Sequence, residues 1–211
     1  MWLPKIRELI EAIKAIIKGP YTSKFPKEPH RPHPNFRGQP KFNEEKCVGC
    51  GGCKEVCPVE AIDYVDIVDN KSNPRRVITH YTDICIFCGQ CEAACIADNE
   101  GIKLSNDWEL SFFDRNKANE QIEKELQLCE ICNEVIACRG HLNWIIGRLG
   151  ELSFSNPTLY LTRLKSLGIV DENIRSALAD QGCSDRSDRV KILCARCRRE
   201  TTLTTTGTSK L

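Results

Sequence analysis

Cys47-Val48-Gly49-Cys50-Gly51-Gly52-Cys53-Lys54-Glu55-Val56-Cys57 recurs, 38 residues further on, as Cys85-Ile86-Phe87-Cys88-Gly89-Gln90-Cys91-Glu92-Ala93-Ala94-Cys95. Both stretches read C-x2-C-x2-C-x3-C, and the offset is constant from the first cysteine to the last. They use eight of the 14 cysteines in a chain of 211 residues, several times ordinary usage for a reduced compartment. Residues 1–18 interleave charges throughout and carry no cleavable apolar core. Metal or redox chemistry is therefore expected of these thiols, not disulfides.

Three thiolates at two-residue spacing can wrap one centre only where the backbone loops around it, and Gly49, Gly51, Gly52 and Gly89 allow that close approach. Backbone N–H groups in such loops point at sulfur and offset its negative charge. The pattern is that of bacterial ferredoxins with two [4Fe–4S] clusters, in which the fourth cysteine of each run ligates the other cluster. One cluster is thus assigned to Cys47, Cys50, Cys53 and Cys95, the second to Cys85, Cys88, Cys91 and Cys57. Zinc would call for paired knuckles instead of triplets. Cys57 is followed by Pro58, as the pattern expects, but Cys95 by Ile96, so the potential of the cluster bound by Cys95 is expected to differ.

A second set is Cys129-Glu130-Ile131-Cys132 with Cys194-Ala195-Arg196-Cys197, two C-x2-C knuckles that predict a tetrahedral structural metal site, with zinc favoured over iron. Cys129, Cys132, Cys138 and His141 form a competing ligand set. Cys183 reads as a small buried side chain, and His30, His33 and His80 as surface or packing residues.

Around the cysteines the chain divides into four zones. Residues 1–41 hold an amphipathic helix, with Leu3, Ile6, Ile10, Ile13 and Ile17 on one face and Gly19-Pro20 as its stop, and then a proline-rich basic arm. Residues 42–110 form the ferredoxin domain, with strands over Ala61–Val68 and Val77–Tyr81 around a turn at residues 70–74. Its two halves should each form a hairpin with a short helix after the cluster loop. Residues 111–200 are expected to be mainly helical, over Ala118–Leu128, Leu142–Leu149, Pro157–Leu167 and Asp171–Ala179, with Ser155 or Asn156 as an N-cap. Residues 201–211 read as a tail. The fold class is α+β: a dicluster ferredoxin-like core with a helical region closed by the four-cysteine metal knuckle. Lys+Arg 30 against Asp+Glu 29 argues against a nucleic-acid partner, and Arg196, Arg198 and Arg199 read as a solvated or partner-facing surface. No apolar run reaches the ~18–20 residues of a membrane span. No nucleophile–base pair or phosphate-binding glycine loop is present, which leaves the chain without a substrate site of its own.

With Gly101-Ile102-Lys103-Leu104-Ser105-Asn106-Asp107-Trp108-Glu109-Leu110 behind it, the second block resembles the dicluster ferredoxin subunit of complex I and its hydrogenase relatives, as do Gly19-Pro20-Tyr21-Thr22, Phe25-Pro26 and Phe36-Arg37-Gly38. The resemblance covers residues 1–110. It implies a helix at the membrane surface, an arm over partner subunits, and clusters that relay electrons. The knuckles at Cys129/Cys132 and Cys194/Cys197 resemble those of the iron–sulfur subunit of formate hydrogenlyase and related membrane-bound group 4 [NiFe]-hydrogenases. That likeness implies an electron-transfer subunit on the cytoplasmic face of the membrane, in peripheral contact through residues 1–19. Its partners would be the small and large hydrogenase subunits, other iron–sulfur subunits and membrane subunits. The alternatives are the corresponding subunit of NADH:quinone oxidoreductase, or a scaffold with structural clusters.

Overall fold

The computed structural model describes residues 5–19, 21, 22, 24, 25, 27–68, 73–169 and 191–203. The expected helix over 171–179, Cys183, Leu3 and residues 70–72 of the expected turn lie outside the described residues, as does the tail from 204. The chain divides into two compact units, Met1–Phe36 and Arg37–Leu211.

In the first unit, α1 spans Ile6–Lys18, and Glu8 closes its first turn by accepting the Lys5 N–H at 3.1 Å. Gly19 ends it in positive-φ backbone. Ile6, Leu9, Ile10, Ile13, Ile16 and Ile17 are all exposed, so the apolar stripe that drives the helical periodicity has no cover among the described residues of this unit. Thirteen residues make a rod of about 20 Å. Among the described residues no helix is long and apolar enough to cross a membrane. Residues 27–36 run on without regular secondary structure, as their prolines require.

The second unit is a mixed α+β fold. Strand β1 (Pro40–Phe42) pairs antiparallel with β4 (Ile102–Leu104), and β2 (Ile62–Ile67), β3 (Arg75–Tyr81), β5 (Asn119–Leu128) and β6 (Val135–Cys138) form an antiparallel sheet in that order. Single-turn helices α2 (Gly52–Glu55) and α3 (Gln90–Ala93) lie inside the cysteine blocks. Helices α4 (Arg139–Leu149), α5 (Pro157–Ser166) and α6 (Ala195–Leu203) follow. Only β2 and β3 make a hairpin within the ferredoxin region; β1 and β4 flank the two blocks and pair with each other. A hairpin for each half is therefore corrected to one hairpin and one closing ribbon.

Residues 119–128 are a strand, not the expected helix. Ile122 and Leu126 at i, i+4 in a Glu/Lys/Gln-rich stretch satisfy helical spacing, but β3 pairs with β5 over seven positions, from Arg75↔Glu125 to Tyr81↔Asn119. The alternation of a strand was hidden because two of its inward positions are polar. Glu120 accepts the Phe42 N–H at 3.3 Å, and the Lys124 ammonium donates to the Glu44 carbonyl. Among the described residues, the region after 110 thus contributes two strands as well as its helices.

Three cross-strand rows cover the inner face of the sheet: Asp66–Arg76–Lys124, Tyr64–Ile78–Ile122 and Ile62–His80–Glu120. Ile62, Ile78, Ile122, Ile102 and Cys91 form the main core, with Phe42, Tyr64, Cys47, Cys53 and Cys95 against it. A second small core joins Leu142 and Ile146 of α4 to Leu159 of α5. Asn156 caps α5 by accepting the Thr158 N–H at 3.0 Å, with Pro157 in the first turn. Asn156→Ala is expected to destabilise the protein by about 1 kcal/mol in urea unfolding.

Candidate metal centres

The repeat in the sequence is also a repeat in conformation. Gly51 and Gly89 hold left-handed backbone at φ 79° and 80°, and each opens one of the single-turn helices. Gly49 and Phe87, at the same offset, both have positive φ (73° and 53°), and so do Glu60 and Asp98 (54° and 53°). An L-residue pays about 1–2 kcal/mol for this conformation. Such strain is kept where a site dictates the shape of its loop.

Two sets of cysteines cross between the blocks. Cys95, from the second block, is an electrostatic neighbour of Cys47 together with Cys50. A Cβ built on Gly101 would stand 2.9 Å from Cys95 Sγ and 3.3 Å from Cys47 Cα. Cys57, from the first block, lines one cavity with Cys85, Cys88 and Cys91. Cys53 has Cys91 among its neighbours, so the two sets adjoin.

Burial pushes the Cys53 thiol up to about 12 and the Cys91 thiol up to about 11, and raises Cys47 and Cys85 as well. The polypeptide alone holds these groups protonated, and a cationic centre would supply the stabilisation that burial withholds and displace the protons. N–H donors are already aimed at the sulfurs: Gly52 N to Cys50 Sγ at 3.4 Å, Phe87 N to Cys85 Sγ at 3.4 Å, Ala61 N to Cys57 Sγ at 3.2 Å. Soft sulfur ringed by N–H groups is the donor set that fits an iron–sulfur group.

The first block is tightly encased. Arg76 grips Asp66 through two hydrogen bonds (2.7 and 2.8 Å), donates to the Gly49 carbonyl at 3.1 Å and lies 4.1 Å from the centre of the Tyr64 ring. Cys138, at the start of α4, is fully buried, and its Sγ would lie 2.7 Å from a Cβ on Gly49. A Cβ on Gly140 would meet the Val48 carbonyl oxygen at 3.2 Å. Beside the second block, Ile84 and Ile86 are exposed.

Cys129, Cys132, Cys194 and Cys197 form a four-cysteine metal-binding cluster, with all four sulfurs within 4.8 Å of one another. Cys132 Sγ and Cys194 Sγ are 3.7 Å apart. Sulfurs about 2.3 Å from one tetrahedral ion stand about 3.8 Å apart. The first knuckle is a turn in which Cys129 O accepts from Asn133 N (3.0 Å) and Cys129 N donates to Glu134 O (2.9 Å). The second opens α6, where the Cys197 N–H points at Cys194 Sγ (3.5 Å). Burial opposes ionisation of Cys129, but N–H donors from Cys132, Cys194 and Ile131 outweigh it and hold the thiol below its usual range. Cys138 and His141 stand outside this cluster, so the competing ligand set is not assembled. Cys138 instead serves the first block, and His141 lies close enough to Arg76 to feel its charge. Neither this placement of Cys138 nor the inward position of His80 has a signal in residue spacing.

A 4Fe-4S binding domain family matches residues 40–63. NAD(P)H-quinone oxidoreductase subunit I of Gloeobacter violaceus is 31% identical over 127 residues, which is 54% of this chain and 59% of that protein. NADH-quinone oxidoreductase subunit I 2 of Geobacter metallireducens is 32% identical over 121 residues, 54% of this chain and 90% of the relative. Formate hydrogenlyase subunit 6 of Escherichia coli is 34% identical over 139 residues, 65% of this chain and 74% of the relative. With a 4Fe-4S signature in its first block and identity above 30% across most of the length of two of these proteins, the chain belongs to the family that includes NADH-quinone oxidoreductase subunit I and formate hydrogenlyase subunit 6.

Proposed function

We propose that this protein is an electron-transfer subunit of a respiratory complex of the complex I kind. Cys47, Cys50, Cys53 and Cys95 would hold one [4Fe–4S] cluster, and Cys57, Cys85, Cys88 and Cys91 a second. The observation that carries this reading is the crossing of the blocks, with Cys95 beside Cys47 and Cys57 in the cavity of Cys85, Cys88 and Cys91. Bound there, a [4Fe–4S] cluster would supply one-electron redox chemistry. The chain's own residues set the conditions: Ile62, Ile78 and Ile122 exclude water, the N–H groups of Gly52, Ala61 and Phe87 face the sulfurs, and Arg76 fixes the first loop.

The quinone-oxidoreductase relatives support the complex I branch better than the hydrogenase branch expected from the knuckles. The hydrogenase branch stays as a second reading because formate hydrogenlyase subunit 6 aligns over 65% of this chain, beyond the share matched by the quinone-oxidoreductase relatives above. For the four-cysteine cluster we infer one structural ion, since the 3.7 Å separation of Cys132 and Cys194 is that of ligands on a single tetrahedral ion; paired knuckles put zinc before iron, although iron would fit the same ligands. The exposed apolar stripe of α1 supports peripheral contact with the membrane-facing subunits of the complex.

Anaerobic purification from the host tests the branch: quinone-reducing subunits should co-purify, whereas a [NiFe]-hydrogenase large subunit would transfer the protein to the second reading. Elemental analysis should give about eight iron atoms and one further metal per chain. Cys194→Ser should lose that metal and keep both cluster signals in electron paramagnetic resonance. About four iron atoms in the unmodified protein would refute the two-cluster reading.

A further inference from the structure

The cavity lined by Cys57, Cys85, Cys88 and Cys91 has two more polar wall residues, Gln90 and the titratable His80. The His80 side chain is 0% exposed, and neither Nδ1 nor Nε2 has a hydrogen-bond partner. An imidazole carries at least one N–H, and a fully buried polar group is stable only when a partner receives it. Burial lowers the pKa of His80, so the ring is neutral at physiological pH, with one N–H to give and one lone pair.

The cross-strand neighbours narrow where that N–H can go. His80 lies on the inner face of β3, between Ile62 and Glu120. Ile62 offers no acceptor. Glu120 spends Oε1 on the Phe42 N–H and leaves Oε2 buried without a partner, so the two side chains do not satisfy each other. The remaining direction is the cavity of the four thiols. The corresponding position beside the first block, Arg76, is already engaged by Asp66 and the Gly49 carbonyl. Only one of the two centres therefore faces an uncommitted donor from β3.

We propose that His80 donates its ring N–H to sulfur, sulfide or thiolate, of the centre held by Cys57, Cys85, Cys88 and Cys91, and so raises that centre's reduction potential. The reduced centre carries one more negative charge, so a hydrogen bond to its sulfur is stronger after reduction than before. No proton moves: the centre gains or loses one electron, and the N–H stays on the ring. This inference rests on the two-cluster reading above.

The test is a potentiometric titration of the loaded protein, followed by electron paramagnetic resonance, on the unmodified chain, His80→Leu and His80→Gln. In His80→Leu one centre should become harder to reduce. Its reduced-to-oxidised ratio at fixed potential should fall about tenfold, equal to 59 mV for a one-electron couple. The other centre should not move, and the amide N–H of His80→Gln should restore part of the shift. With ¹⁵N-labelled histidine, pulsed spectra of the unmodified reduced protein should show a nitrogen coupled to one centre. Two intact centres with unchanged potentials in His80→Leu would overturn the proposal and leave the two-cluster reading standing. If His80→Leu does not hold its iron, the ¹⁵N coupling in the unmodified protein decides, and its absence overturns the proposal. A single centre in the unmodified protein would overturn the underlying reading.

Discussion

Arg76→Met is expected to lower the stability of the loaded protein by about 3 kcal/mol, read as an earlier loss of cluster absorbance in urea under anaerobic conditions. The side chains of Arg76 and Asp66 are 11% and 23% exposed, so the pair is largely removed from water. Removing the guanidinium leaves the Asp66 carboxylate uncompensated and orphans the Gly49 carbonyl, which receives the Arg76 Nη1–H at 3.1 Å. It also strips a cation from the face of Tyr64, worth about 0.5–1 kcal/mol. Breaking a fully buried pair costs about 3–5 kcal/mol, and the residual exposure of Asp66 puts this one at the lower end. Arg76→Met combined with Asp66→Leu should recover all but about 1 kcal/mol, because only the Gly49 carbonyl then stays unpaired. If the double variant were as weak as the single one, the damage would lie in lost packing, not in a stranded charge.

Gly49→Ala should be about as damaging, for a different reason. A Cβ there would stand 2.7 Å from Cys138 Sγ, 3.0 Å from Cys138 Cβ and 3.1 Å from Lys124 Cβ, on backbone at φ 73°. The conformation costs about 1–2 kcal/mol, and crowding a packed site adds about 1–3 kcal/mol. Cys138→Ala in the same chain should relieve only the contact with sulfur, since its Cβ and that of Lys124 remain. Gly89→Ala provides the contrast. It has the same left-handed backbone, but the nearest atom is Leu104 Cδ1 at 3.2 Å, the end of a flexible side chain. That variant should lose only the conformational part. Equal losses at Gly49 and Gly89 would show that the cover over the first block contributes nothing.

The 4Fe-4S signature of the first cysteine run was legible because ligand spacing is local. The chemistry of a loop around a centre is written in the loop itself, down to the left-handed Gly51 and Gly89. Helices α4 and α5 were legible too, through Asn156, Pro157 and the apolar spacing that follows. Strand β5 was not. Its helix-favouring residues are overruled by pairing with β3, and Glu120 and Lys124 turn inward to meet the backbone of Phe42 and Glu44, contacts made across roughly eighty residues of chain. His80 and Arg76 were hidden in the same way. Each looks like an ordinary polar residue until the sheet register sets it beside a cysteine block.

Segment 135–149 follows both cysteine blocks in the chain, and it comes to rest on the first of them. A Cβ on Gly140 would lie 3.3 Å from Val48 Cα, and Cys138 leaves no room for one on Gly49. That fit exists only against a loop already in its closed shape. The shape of the first loop and the seating of α4 are therefore coupled, and whatever changes one is felt by the other.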